Sequence, residues 1–288
     1  MDKKISDIQA RISRDSASRI KMLIEPTNKA YEQDWRKVPI EENNEPLVRV
    51  PSLFCDPYYH NVLKIAPDKR IYVRKTVNTM LAVARNYLYA KARLELILLD
   101  GYRLLEVQNK LFWKIMHQFT IDRKEFAPYN LRAFFTSDAW ENIHDTFYSL
   151  EDLFRKEGQG TSLQRDLFAE NRKFVAWPSD DPTMPSPHAT AGAVDVWIYD
   201  KDGPVDMGRP FDHMDETVGA FYHLKEDRQR FDNDEMVCFY RSLLLDAMTA
   251  AGFSIYPDEF WHFNYGNQMD GLIQGKPAIY SYIKPPED

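Results

Sequence analysis

The feature that most narrows what this chain can become is an acid set inside an apolar run, AVDVWIY at residues 193–199. With a period of two, Val194, Val196 and Ile198 fall on one side of a strand, and Ala193, Asp195, Trp197 and Tyr199 on the other. Burying Asp195 there is costly unless a cation or hydrogen-bond donors meet it. A metal ion satisfies that requirement; so does an arginine, or a set of backbone amides. His188 lies seven residues earlier, at the end of WPSDDPTMPSPH, where four prolines forbid helix or sheet and predict a loop.

A second candidate segment, YPDEFWHF, lies at residues 256–263. His262 sits among apolar residues, with Glu259 three positions before it. Zinc accepts nitrogen and carboxylate donors, and two histidines plus an aspartate leave one tetrahedral position for water, as a catalytic site requires. Glu259 is then a candidate general base. Residues three apart on a regular strand face opposite ways, so Glu259 is expected in the turn introduced by Pro257. The plainer alternative is an ordinary exposed turn acid. His60, His117, His144 and His223 occur singly in ordinary surroundings and read as structural or surface histidines.

Along the chain, Ile5, Ile8, Ile12, Ile20, Leu23 and Ile24 give residues 1–25 an apolar helical stripe, interrupted at Ser16 and ended by Pro26. Prolines break residues 31–67 into short pieces, with Leu47–Val50 and Val62–Ile65 as expected short strands. Apolar residues from Val73 to Ala92 recur at three- and four-residue spacing, predicting a helix within 68–94. Leu96–Leu99 reads as a buried strand ended by Asp100-Gly101, and Leu104–His117 as a second helix. Further short helices, such as Ala139–Arg155, are expected in an insertion at about 118–185, with a break at EGQG (157–160). Glu235–Ala251 predicts a helix stopped by Gly252, and Phe260–Tyr265 a last strand.

At 288 residues with 44% hydrophobic content, the chain can build one substantial core. A net charge of −7 with no long Lys/Arg run argues against a nucleic-acid partner. Two distant cysteines, Cys55 and Cys238, leave one disulfide open but do not describe a stapled secreted domain. No apolar stretch follows the opening lysines and no 18-residue apolar run exists, so neither a secretory signal nor a membrane span is expected. The cytoplasm is the expected location, and the oligomeric state stays open.

Four segments in order, LLDGYR (98–103), SPHATAGAVDVWIYD (186–200), DMGRPFDHMDE (206–216) and AGFSIYPDEFWHF (251–263), resemble the D-alanyl-D-alanine dipeptidases. These are zinc peptidases related in fold to peptidoglycan carboxypeptidases and the Hedgehog signalling domain. The resemblance anchors roughly 65–288 as a zinc peptidase domain, with 1–64 as an N-terminal extension and lead-in strands. It implies a single-domain α+β fold with a central, mainly antiparallel sheet flanked by helices. It also implies one zinc ion per chain on His188, Asp195 and His262, with Glu259 as general base and Arg103 steadying the scissile carbonyl. Asp212 would receive the substrate's free amino group, and Ser186 would lie near its terminal carboxylate. The implied substrate is a short peptide, a D-Ala-D-Ala-like dipeptide from cell-wall turnover.

Departures from the family pattern are Ala191 where glycine is usual, with Gly192 next, and Leu104 where proline commonly follows the arginine. The stretch between Arg103 and His188 is also longer than is typical. Three rival readings remain: a zinc amidase acting on a larger or modified amino-acid conjugate, a non-catalytic zinc-binding protein of the same fold, and a zinc-free globular protein in which the plain readings of all four motifs hold together.

Overall fold

A computed structural model of the chain describes residues 3–127 and 162–285. Helices α1 (Lys3–Ala30), α2 (Tyr58–Asn61), α3 (Lys75–Ala92), α4 (Leu105–Asp122), α5 (Ser162–Phe174), α6 (Asp234–Ala250) and α7 (Gln268–Gln274) surround two sheets. Strands β1 (Leu47–Arg49) and β2 (Tyr72–Arg74) pair with each other. The main sheet has the order β3 (Glu95–Asp100), β4 (Ala193–Asp200), β7 (His262–Asn264), β6 (Ser254–Ile255), and β5 (Gly203–Pro204) forms a hairpin with β4. Every pairing is antiparallel, which gives the expected α+β architecture.

Helices α3 and α6 pack on the sheet and on each other, and α1 lies across α6. Val194, Val196 and Ile198 are wholly buried, sharing one core with Leu243, Leu244 and Ile20. The helix at 75–92, the strands at 96–99 and 193–199, and the helix ending at Gly252 all form where periodicity predicts them. Gly252 has φ +99°, a conformation open to glycine and strained for other residues.

Three local expectations are overturned. Helix α1 runs through Pro26 to Ala30. A proline inside a helix costs about 3 kcal/mol, and the packing of α1 along α6 outweighs that local penalty. Val73 lies in β2 rather than in a helix, because its segment pairs with β1 in the register Val48 to Val73. Val62–Ile65 forms no strand; the amides of Ile65 and Ala66 both turn back onto the carbonyl of Tyr59. That turn fixes Tyr59 beside the site. The expected helix Ala139–Arg155 and the EGQG break lie outside the described residues. Both cysteines are free, and no helix among the described residues is long and apolar enough to cross a membrane.

Ser16, the break in the α1 stripe, has a structural purpose. Its hydroxyl donates to Asp246 on α6 at 2.8 Å, and Arg19 Nε and Tyr87 from α3 reach the same carboxylate, each at 2.6 Å. Burial opposes ionisation of Asp246, but these donors outweigh it and hold the carboxyl below its ordinary range. Three helices are thus joined at one acid. Asp246→Asn is expected to cost about 1–3 kcal/mol in urea denaturation; a loss under about 0.5 kcal/mol would show the junction to be energetically idle.

Candidate metal and active site

The register of the main sheet builds the site. Asp195 on β4 stands opposite His262 on β7 on one side and Asp100 on β3 on the other. The second pairing depends on a bulge between Leu98 and Asp100. Without that extra residue Asp100 would face Val194, and its carboxylate would point to the other side of the sheet. Directly opposed residues share a face, so three polar side chains form a row across three buried strands.

His188 reaches this row from a single 3₁₀ turn, Pro187–Thr190, just before β4. Ala191 ends the turn at φ +57°, so an alanine holds the left-handed conformation where the dipeptidases that the sequence resembles usually have glycine. The strain is of order 1 kcal/mol, and the loop path is kept. Gly192 is needed for a different reason: a Cβ there would lie 2.5 Å from the carbonyl oxygen of Tyr265. Arg74, almost fully buried, pins the turn by donating to Thr190 O at 2.9 Å. The same guanidinium also binds Glu42 and the carbonyl of Ser281.

His188 Nε2 lies 3.3 Å from His262 Nδ1, which lies 3.0 Å from Asp195 Oδ1; His188 Nε2 to Asp195 Oδ2 is 3.4 Å. Donors about 2.0–2.1 Å from a tetrahedral zinc ion stand roughly 3.3 Å from one another. The two imidazole nitrogens stand at that separation, each has one oxygen of Asp195 near the same range, and one ligand atom from each residue can be chosen so that all three lie within 4.8 Å of one another. The outer ring nitrogens strengthen this reading. His188 Nδ1 lies 2.9 Å from Gly101 O, and His262 Nε2 lies 3.1 Å from Asn264 Oδ1, which also accepts from Asn267 at 2.7 Å. Protons held outward by these acceptors leave two imidazole lone pairs facing each other and a carboxylate. Such a cluster calls for a cation, and these residues fit one. Burial works to raise the pKa of Asp195, but the two imidazoles more than offset it and hold the carboxyl below its usual range.

Around the triad, Arg103 is buried and tightly tethered. Nε reaches Asp100 at 2.8 Å, Nη1 donates to Gln108 at 2.7 Å, and Nη2 donates to Tyr59 at 3.0 Å and Asp195 at 3.3 Å. Tyr59 in turn donates to Asp212 Oδ1 at 3.3 Å. Asp212 has φ +60°, and its Oδ2 is enclosed with no partner among the described residues. Burial pushes its carboxyl up to about 7, against the pull of Arg103. Glu259 follows the Pro257–Asp258 turn and comes within 3.8 Å of His262 Nδ1. Burial, then the charges of Asp195 and Asp212, raise its pKa well above the carboxylate range.

Arg103, His188, Asp195, Asp212, Glu259 and His262 all line one cavity of about 70 Å³. Ser186 does not line it. Its buried hydroxyl has no partner among the described residues. Sequence reading overlooked Asp100, Tyr59, Gln108 and Asn264. Asp100 lay in plain view before Gly101, but only the bulge turns it inward. Tyr59 lies 44 residues from Arg103, and no local spacing links the two.

Residues 165–280 match the sequence profile described as D-ala-D-ala dipeptidase. The D-alanyl-D-alanine dipeptidase of Synechocystis sp. is 31% identical over 132 residues, covering 42% of this chain and 53% of that protein. The alignment thus spans about half the length of this curated relative. Outer partners of metal-binding histidines typically govern affinity by 10–100-fold. Asn264→Ala is expected to weaken divalent-metal binding by about that factor in chelator competition, while Asn267→Ala, one contact further out, has a smaller effect. Equal affinities in Asn264→Ala and the parent would remove Asn264 as the support of His262.

Proposed function

We propose that the chain, whose residues 165–280 match the D-ala-D-ala dipeptidase profile, is a zinc-dependent dipeptidase of that family hydrolysing D-Ala-D-Ala-like substrates. The observation that carries this reading is one small cavity holding a metal-fitting triad beside a buried acid, with a second, partly unpartnered acid at its other side.

His188, Asp195 and His262 would hold the zinc ion, which supplies Lewis acidity and makes water acidic enough to ionise near neutral pH. Glu259, kept out of bulk water and facing the triad, accepts the proton of the attacking water and returns it to the leaving amine. Arg103 counters charge developing on the scissile carbonyl oxygen. Among the described residues its Nη1 donates only to Gln108, so its second hydrogen can reach a substrate oxygen. The Asp100, Gln108 and Tyr59 tethers fix the guanidinium before substrate arrives, which lowers the ordering cost of the reaction.

Asp212 accepts the substrate's α-ammonium, whose charge matches the enclosed Oδ2. Ammonium and scissile carbonyl then bind to groups joined through Tyr59, and this sets a distance of one residue between amino end and cut. Ser186 is assigned by family resemblance to the carboxylate end of the substrate; it stands behind the Pro187–His188 wall rather than in the cavity lining.

The direct test is metal analysis followed by assay of L,L, D,L and D,D dipeptides. Full zinc occupancy with no hydrolysis across the panel would sink the assignment. Glu259→Gln is expected to keep its zinc and lose roughly 10²–10⁴-fold in kcat. Asp212→Asn is expected to raise KM for free dipeptides by about 10–100-fold, since a charged hydrogen bond is worth about 1.5–3 kcal/mol. It should also narrow the preference over N-acetylated dipeptides, leaving zinc content unchanged.

A further inference from the structure

The segment bearing Asp212 has little regular structure of its own. Between Met207 and Asp215 the backbone is bends, turns and irregular chain, leading into a single 3₁₀ turn at Glu216–Val218, and Asp212 adopts a left-handed φ of +60° without being glycine. A strained residue of this kind persists only where its surroundings over-determine it. Phe211 anchors the middle of the segment, packing on Tyr58 and Trp261 at ring separations of 4.7 and 5.2 Å.

The two ends are held by one side chain. Arg241 on α6 is wholly buried; Nε donates to Met207 O at 2.9 Å and Nη1 to Thr217 O at 2.7 Å. Its guanidinium stacks over Phe260 at 4.0 Å and Phe231 at 4.7 Å. Among the described residues it has no carboxylate within ion-pair distance, and Nη2 has no hydrogen-bond partner. A buried cation that lacks a counter-ion is a poor stabiliser in its own right. What this one provides is a rigid planar fork that reaches two carbonyls ten residues apart, which a lysine cannot reproduce.

We propose that Arg241 is a positioning residue for amino-end recognition, clamping both ends of the 207–217 segment so that Asp212 is held in its strained conformation facing the cavity. The inference rests on the dipeptidase reading for its kinetic consequences, but not for its structural one.

Arg241→Lys, which keeps the charge and breaks the fork, is the test, read in the zinc-loaded full chain by two measurements. In hydrogen–deuterium exchange, amides within 207–217 should exchange at least about tenfold faster, with those of α6 and β4 unchanged. In D-Ala-D-Ala hydrolysis, KM should rise about tenfold or more with kcat within about threefold. The KM effect should vanish when the substitution is made in Asp212→Asn, because coupled residues do not add. Phe231→Leu, a milder loosening of the same guanidinium, should move both readouts in the same direction by less, and it serves if Arg241→Lys does not fold. Unchanged exchange in 207–217 overturns the clamp whatever the activity. Faster exchange with KM unaltered, or an equal KM effect in the Asp212→Asn background, overturns the link to amino-end recognition. A wild-type chain inactive on every dipeptide sinks the dipeptidase reading, while the exchange result still decides the clamp.

Discussion

Everything chemical in this molecule hangs on the pairing register of three buried strands. Opposition of Asp195 to His262 brings two donors to one point, and a one-residue slip of β7 would turn the imidazole to the other side of the sheet. The bulge in β3 adds Asp100 to the same row and so orients the guanidinium of Arg103. The interior position of these strands makes the arrangement possible. Apolar residues on both sides exclude water, which strengthens each electrostatic contact and penalises any group left unmatched. That is why His188 and His262 each carry an outer acceptor, and why the lone pairs turned inward form a coherent ligand set.

The same enclosure separates the three carboxyls by chemistry. Asp195, between two imidazoles, is held below its ordinary carboxyl range, whereas burial raises the pKa of Glu259 and Asp212. Environments that push like groups apart suit the three roles proposed for these carboxyls, metal ligand, proton carrier and ammonium receptor.

Much of this was legible in the sequence, for identifiable reasons. An aspartate in AVDVWIY and a histidine in EFWHF stand out because burying them has a cost that something must offset, and a cost of that kind is local. The helices at 75–92 and 234–250 were legible by period, and Pro257 marked the turn that Glu259 directly follows. Long-range compensation was not legible. Pro26 should end a helix by its own chemistry, and only packing against α6 carries the helix past it. Val73 reads as helical until β1 is known to pair with it. Tyr59, Gln108 and Asn264 are ordinary residues in ordinary surroundings; their roles exist only once distant segments meet. Ser16 was visible as a flaw in a stripe, but its partner, Asp246, is 230 positions away.

Arg74 carries a consequence for where the working unit begins and ends. One guanidinium joins Glu42, the turn that presents His188, and the backbone at Ser281. The profile match starts at residue 165, which leaves out this arginine, the edge strand β3 and Arg103. A fragment trimmed to that stretch would retain every candidate metal ligand and still lose the framework that aims them. The framework around the candidate site is therefore wider than the profile match, and the early residues are mortar between its walls.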